Sequence, residues 1–167
     1  MPARRAFRVS ITKEDLVFAA AHFITMPGHR CEALHGHNYR ASVVVEGGLE
    51  PEGWYVVDFS LVKGVMRALT AELDHRVLLP LENPRLDVRT DGDRVTVAVD
   101  GDPRYQFPTG DCALLSLPNT TVEMLAQYLA SRLRQALTDA GAVQVTGLEV
   151  EVEENFGQSA TYRELLD

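Results

Sequence analysis

"CEALHGHNYRASVVVEGG", residues 31–48, carries the two patterns on which the fold turns. Residues 37–47 read as a β-strand rich in β-branched side chains, and Gly47-Gly48 is the turn signal that ends it. In a strand, residues i and i+2 point to the same face. His35 and His37 are therefore expected side by side, with Gly36 between them permitting close approach of another backbone. Just upstream, "LVFAAAHF" (16–23) reads as a second strand that ends near His22. Hairpin pairing of the two would set a third imidazole opposite the pair.

Three neutral imidazoles with an open fourth position describe a catalytic zinc site, whereas structural zinc is usually closed by four protein ligands. Zinc is the expected ion for an all-imidazole set. Cys31, four residues before His35, has three readings: a fourth ligand, a buried small apolar residue, or a working thiol beside the metal. Two other settings of His-x-His do not fit. A cupin would want a glutamate four or five residues after the second histidine, where Ala41 and Ser42 stand. A metal-dependent barrel hydrolase needs roughly 250 residues of barrel, and this chain has 167 in all.

Outward from these strands, "AFRVSIT" (6–12) alternates Phe7, Val9 and Ile11 with Arg8, Ser10 and Thr12, the period of a half-buried strand. A helix is expected from Ser60 as its N-cap, with Leu61, Val65, Leu69 and Leu73 as its apolar stripe. A second opens at Thr120-Thr121-Val122-Glu123, a capping-box pattern with Glu123 at N3. It would bury Val122, Leu125, Ala126, Leu129, Leu133 and Leu137 and stop at Gly141. A closing strand runs from about Val143 to Glu154. Between the helices, roughly Pro80–Pro118 differs in character. Leu86/Val88 and Val95/Val97/Val99 alternate around Asp91-Gly92, a hairpin signal. This order of elements predicts an α+β fold, not alternating βαβ units. One domain is expected over residues 1–167, the natural prior for this length.

Composition excludes several classes of function. A net charge of −8 argues against a nucleic-acid binder, which needs a basic face. A small anionic substrate remains compatible with it, since a few arginines can hold one phosphate group. No apolar run approaches the length of a membrane span, and Met1–Ser10 lacks the apolar stretch of a signal peptide. Two cysteines do not make a disulfide framework, so a reducing cytoplasm is expected.

Further candidates stand outside the histidine set. Asp74-His75 lies at the end of the first helix, where an Asp can orient an imidazole for proton transfer; helix-terminal histidines also occur for dipole reasons. In the last strand Leu148, Val150 and Val152 share a parity that Glu154 continues, so its carboxylate should sit at the edge of the core face. There it can accept from paired N–H donors of a bound heterocycle, or simply mark the strand's end. Cys112 reads as packing, and His29 as a solvated loop residue with an anionic substrate as the alternative contact. Arg85, Arg89, Arg94 and Arg104 read as solvated hairpin charges, with contact to phosphates as the alternative.

Taken together, "FAAAHF…CEALHGHNY…VVDFSLVKG…LDH…TTVEMLAQYL…VEVEENFGQSATY" resembles the 6-pyruvoyltetrahydropterin synthase and 6-carboxytetrahydropterin synthase family, over about residues 5–79 and 119–165. The resemblance implies a tunnelling fold (T-fold): an antiparallel four-stranded sheet with two helices on one face, interrupted here by an insertion at about 80–118. It implies trimeric rings, usually paired as hexamers, with active sites shared between subunits. It makes His22, His35 and His37 the zinc ligands, Cys31 the catalytic thiol, and Asp74 with His75 the second proton-transfer unit. Glu154 would anchor the pterin ring, and Thr121 and Glu123 would contribute to its pocket. The implied substrate is 7,8-dihydroneopterin triphosphate, converted to a pyruvoyl or a carboxy product. The gap of three residues between Cys31 and His35 resembles the bacterial carboxy-forming branch, which feeds 7-deazaguanine and queuosine synthesis. A pterin- or purine-binding paralogue without this reaction is the alternative of a different class. Met124, where the family usually has Asn, and Asn155, where Thr often follows the glutamate, depart from the pattern. A thiolate on zinc would close the position that substrate must enter, which favours Cys31 as a thiol beside the metal over a fourth ligand.

Overall fold

In the computed structural model, which describes residues 6–166, strand β3 (His35–Gly47) is the spine of the molecule. One of its edges carries two strands in succession. β2 (Val17–His22) pairs antiparallel with residues 35–40, and β1 (Phe7–Ile11) with residues 43–47. On the other edge lies β9 (Val145–Glu154), followed by β10 (Ser159–Leu165). Val43, Val45, Val150 and Val152 share the buried parity, as alternation predicts. β3 ends at Gly47 as expected, and Gly48 N–H donates to Gln144 O at 2.9 Å.

Helix α1 (Phe59–Leu73) and helix α2 (Val122–Asp139) pack on this buried face. Their stripes are largely those expected: Leu69 and Leu73 on α1, and Leu125, Ala126, Leu129, Leu133 and Leu137 on α2, are buried. Burying one such leucine fully contributes about 1.5–3 kcal/mol. The caps differ from expectation by one or two residues. Asp58, not Ser60, caps α1, its Oδ1 accepting from Ser60 N–H at 2.7 Å. A carboxylate there also complements the helix dipole, which a serine does not. Thr121, not Thr120, caps α2 and accepts from Met124 N–H at 3.4 Å, so Glu123 falls at N2 and no capping box forms. Gly141, with φ +72°, follows the C-cap as the left-handed stop.

The class is α+β, with a sheet larger than the four strands expected. β4 (Arg76–Pro80) joins β2 in parallel, and β8 (Cys112–Leu115) joins β4 in parallel, giving the order β10-β9-β3-β2-β4-β8 with β1 also on β3. These strands of four or five residues are too short to show a period. The hairpin signal at residues 86–99 supplies two strands of a separate three-stranded meander. β5 (Leu86–Asp91), β6 (Arg94–Val99) and β7 (Asp102–Pro108) pair antiparallel, and Asp91 opposite Arg94 leaves Gly92-Asp93 as the turn. The meander closes over a second core of Phe23, Cys31, Leu79, Val95, Val97 and Val99. No helix among the described residues is long and apolar enough to cross a membrane.

Candidate metal centre and active site

The register of the hairpin assembles the histidines. His22 pairs with His35, and Ala20 with His37, so the three imidazoles share the helix-bearing face at one end of the sheet. Gly36 lets the strands close here, because a Cβ on it would lie 3.3 Å from Ala20 O. His22 and His35 have ring centroids 4.8 Å apart, as do His35 and His37. On the far edge of β3, Tyr39 pairs with Glu154, which brings that carboxylate onto the same face. One ligand atom each from His22, His35, His37 and Glu154 lies within 4.8 Å of every other, a group that can hold a metal ion.

The hydrogen bonds around the rings decide which nitrogens are free. His22 Nδ1 is 2.9 Å from Thr120 O, and His35 Nδ1 is 2.8 Å from Ala33 O. A carbonyl only accepts, so both Nδ1 atoms carry the proton and both Nε2 atoms present lone pairs. This is the arrangement of metal-ligating histidines, whose second nitrogen donates to a carbonyl or carboxylate. His37 Nδ1 lies 2.9 Å from the Asn155 side-chain amide, which serves either tautomer according to which way the amide is turned. His37 Nε2 is buried and 2.6 Å from Glu154 Oε1, yet no aligned hydrogen bond joins them. His22 Nε2 is 3.3 Å from the same oxygen. The donor set therefore fits a divalent cation of the imidazole-seeking class, with the Glu154 carboxylate within the same cluster of ligand atoms.

Burial, the largest influence, lowers the His22 pKa below the usual imidazole value, opposed by its bond to Thr120 and by the Glu154 charge. Neutral imidazole is the form that binds metal. Tyr39, fully buried behind the cluster, has its hydroxyl 3.3 Å from the His22 ring nitrogens. Burial, and then the Glu154 charge, pushes its pKa far up, so it stays a neutral hydrogen-bonding group.

Asp74 and His75 converge just past α1, as expected. His75, at φ +56°, turns its Nδ1 to 2.9 Å from Asp74 Oδ2. The other carboxylate oxygen accepts from Ala19 N–H at 2.8 Å, and that bond is the main reason Asp74 titrates below its ordinary value. The His75 side chain is 82% exposed and lines a cavity of about 520 Å³ together with His37, Asn38, Arg76, Asp111 and Asn155. His75 and His37, one from each group, thus border one space.

Cys31 does not join them in the single chain. It is buried in the second core and lines a different cavity, about 590 Å³, with Gly28, His29, Arg30, Arg85 and Arg104. Burial raises its thiol pKa, while Arg104 and Arg85 pull it down. The sequence reading sets this thiol beside the metal instead. Thr121 spends its hydroxyl on the α2 cap, and Glu123 is exposed in the first turn; neither touches the cluster. The residue of this segment that does reach the cluster is Thr120, through its main-chain carbonyl, which no side-chain motif can signal. Arg85 and Arg104, read as solvated, instead bond main-chain carbonyls of the Cys31 loop. Cys112 is half-buried against the second core, as a packing residue should be.

A two-helix α+β sheet with three strand-borne histidines at one end defines a class of small-molecule enzyme fold with a metal-capable site. The chain belongs to the 6-pyruvoyl tetrahydropterin synthase family, whose model matches residues 10–165. A Methanocaldococcus jannaschii protein provisionally named 6-carboxy-5,6,7,8-tetrahydropterin synthase is 32% identical over 155 residues, covering 91% of this chain and 92% of its own length. An Aquifex aeolicus 6-carboxy-5,6,7,8-tetrahydropterin synthase is 27% identical over 157 residues, covering 92% and 90%. Among solved structures, Plasmodium vivax 6-pyruvoyl tetrahydropterin synthase superposes with a TM-score of 0.87 at 28% identity, covering 98% of this chain and all of its own. Two further structures of the P. vivax enzyme carry alanine or cysteine in place of a glutamate described as a catalytic residue.

Proposed function

We propose that the chain is a zinc-dependent pterin lyase acting on 7,8-dihydroneopterin triphosphate, and specifically a 6-carboxytetrahydropterin synthase serving 7-deazaguanine and queuosine synthesis in the cytoplasm. The observation that carries this reading is the convergence of three imidazoles and one carboxylate, two of the imidazoles with their Nδ1 protons committed to carbonyls. Curated relatives named for the carboxy-forming reaction support the choice of branch.

His22, His35 and His37 hold the metal in this reading. Zinc supplies Lewis-acid polarisation of the substrate's side-chain oxygens, which acidifies the adjacent C–H bonds. Glu154, already aimed at the cluster, accepts the paired N–H donors of the pterin ring. His75, oriented by Asp74, moves a proton at the rim of the cavity shared with His37. Thr121 and Glu123 border the pterin from the start of α2. Cys31 is the catalytic thiol, reaching substrate across a subunit boundary in a homohexamer of paired trimers. The chain works as one domain, with residues 80–118 as an insertion in the family pattern.

A second reading has its own support. The P. vivax neighbour forms a pyruvoyl product by name and uses a glutamate as a catalytic residue. Here Glu32 stands beside Cys31 and is less buried than the thiol. Incubating the zinc-loaded protein with 7,8-dihydroneopterin triphosphate and identifying products by mass spectrometry separates the readings. A carboxy-tetrahydropterin supports the first, and a pyruvoyl-tetrahydropterin the second. Tight pterin binding without turnover refutes both and leaves a binding paralogue.

A further inference from the structure

The segment that carries Cys31 has no regular structure of its own. Between the end of β2 and the start of β3, residues 23–34 form neither helix nor strand. A loop of this kind beside an active site would be expected to sample many conformations, and most of its backbone groups would need water. Here they do not. Arg85, one residue before β5, donates through Nη1 to Met26 O at 3.0 Å and to His29 O at 3.1 Å. Its guanidinium is held for that task by Asp100, at 2.9 and 2.7 Å. Arg104, on β7, donates to Cys31 O at 3.3 Å and to Glu32 O at 2.9 Å. The neighbouring Tyr105 hydroxyl accepts from Leu34 N–H at 3.2 Å. Below the backbone, the Cys31 side chain packs on Val95, Val97 and Val99 of β6 in the second core. Residues 26–34 are thus held by charge-assisted bonds from Arg85 and Arg104, while Cys31 shares a core with the valines of β6.

These arginines are not arranged as a phosphate receptor. Arg85 spends its donors on Asp100 and two carbonyls, and Arg104 turns both ends of its fork, Nη1 and Nη2, to main-chain carbonyls. We propose that the β5–β7 meander is a positioning platform for the proton-transfer group on the Cys31–Glu32 loop, with Arg104 and Arg85 as the positioning residues. Bidentate guanidinium bonds to main-chain oxygens fix direction as well as distance, which a lysine cannot reproduce fully. The inference rests on the reading above, in which this loop carries a reacting group.

The test uses the full-length, zinc-loaded protein with Arg104→Ala, Arg104→Lys and Arg89→Ala, the last a control whose guanidinium pairs with Asp87 on the outer side of the meander. Arg104→Ala should lower kcat about tenfold to a hundredfold, the scale of a small misplacement of a reacting group. KM should stay within about twofold and zinc content should not change. Amide hydrogen exchange over residues 26–34 should rise at least about tenfold while that of β3 does not. Arg104→Lys should recover part of both losses, and Arg89→Ala should match the parent. An Arg104→Ala protein with unchanged kcat overturns the proposal, whether or not its loop exchanges faster. Cys31→Ala and Glu32→Ala are measured alongside. Full activity in both refutes the loop's chemical role itself, whereas inactivity in either beside a fully active Arg104→Ala refutes the platform alone.

Discussion

The histidine cluster and the Cys31 loop lie four residues apart in sequence and are built on opposite principles. His22, His35 and His37 take their places from strand register, and main-chain carbonyls orient two of the rings. Their geometry is local in origin: a period of two, a glycine that admits a neighbour, and a hairpin. Cys31 takes its place from side chains more than fifty residues away, Arg85 and Arg104, and from a floor of valines on β6. The difference suggests a division of labour. A rigid sheet end suits a metal centre, which needs ligand positions held closely, while a clamped loop can present a proton-transfer group from outside the sheet.

Substitutions should separate the two regions, and apart from the metal ligands themselves the largest effect is expected in the loop. Cys31→Ala should lower turnover about 10²- to 10⁴-fold, the usual contribution of a general acid–base group, with zinc content by elemental analysis unchanged. Lost zinc would move Cys31 into the cluster and erase the distinction. On the other side, Asn155→Ala frees the His37 ring, and metal affinity by chelator competition should fall about 10- to 100-fold, as for other outer partners of ligating histidines. Unchanged affinity would mean that the strand alone orients His37.

A smaller effect is expected from pH. His22 titrates below its ordinary value of 6.5 because it is buried. A base with a lowered folded pKa binds protons more readily when unfolded, so its contribution to stability is present above 6.5 and is lost as pH falls below that value. The melting temperature of chelator-stripped protein should therefore fall on acidification from pH 6.5, and His22→Gln should flatten that slope. Smallest of all, Asp58→Ala removes the α1 cap and should cost about 1 kcal/mol in denaturant unfolding, with metal affinity untouched.

The sequence exposes the first region far better than the second, and the reason is range. His35-Gly36-His37 on a strand, with His22 one hairpin away, needs only period and proximity to be read, and the structure pairs His22 with His35 as that reading requires. Asp74-His75 was legible for the same reason, being adjacent at a helix end. Glu154 was legible as a carboxylate continuing an apolar row; its approach to His37 depends on β9 pairing with β3, which spacing alone does not specify. The strands β4 and β8 stayed hidden because each is short and pairs in parallel with a remote partner. Arg85 and Arg104 looked like solvated hairpin charges because nothing near them in sequence names the carbonyls they meet. Thr120 and Asn155 act through a main-chain oxygen and an amide whose targets lie 98 and 118 residues away.

The central claim is that the three imidazoles hold one zinc ion on which turnover depends. Protein stripped by a chelator and titrated with zinc, followed at once by bound metal and by consumption of 7,8-dihydroneopterin triphosphate, tests it directly. Both signals should rise together and break at one zinc per chain, and His37→Ala should abolish both. Turnover that survives without zinc, or zinc bound as tightly by His37→Ala as by the parent, would contradict it.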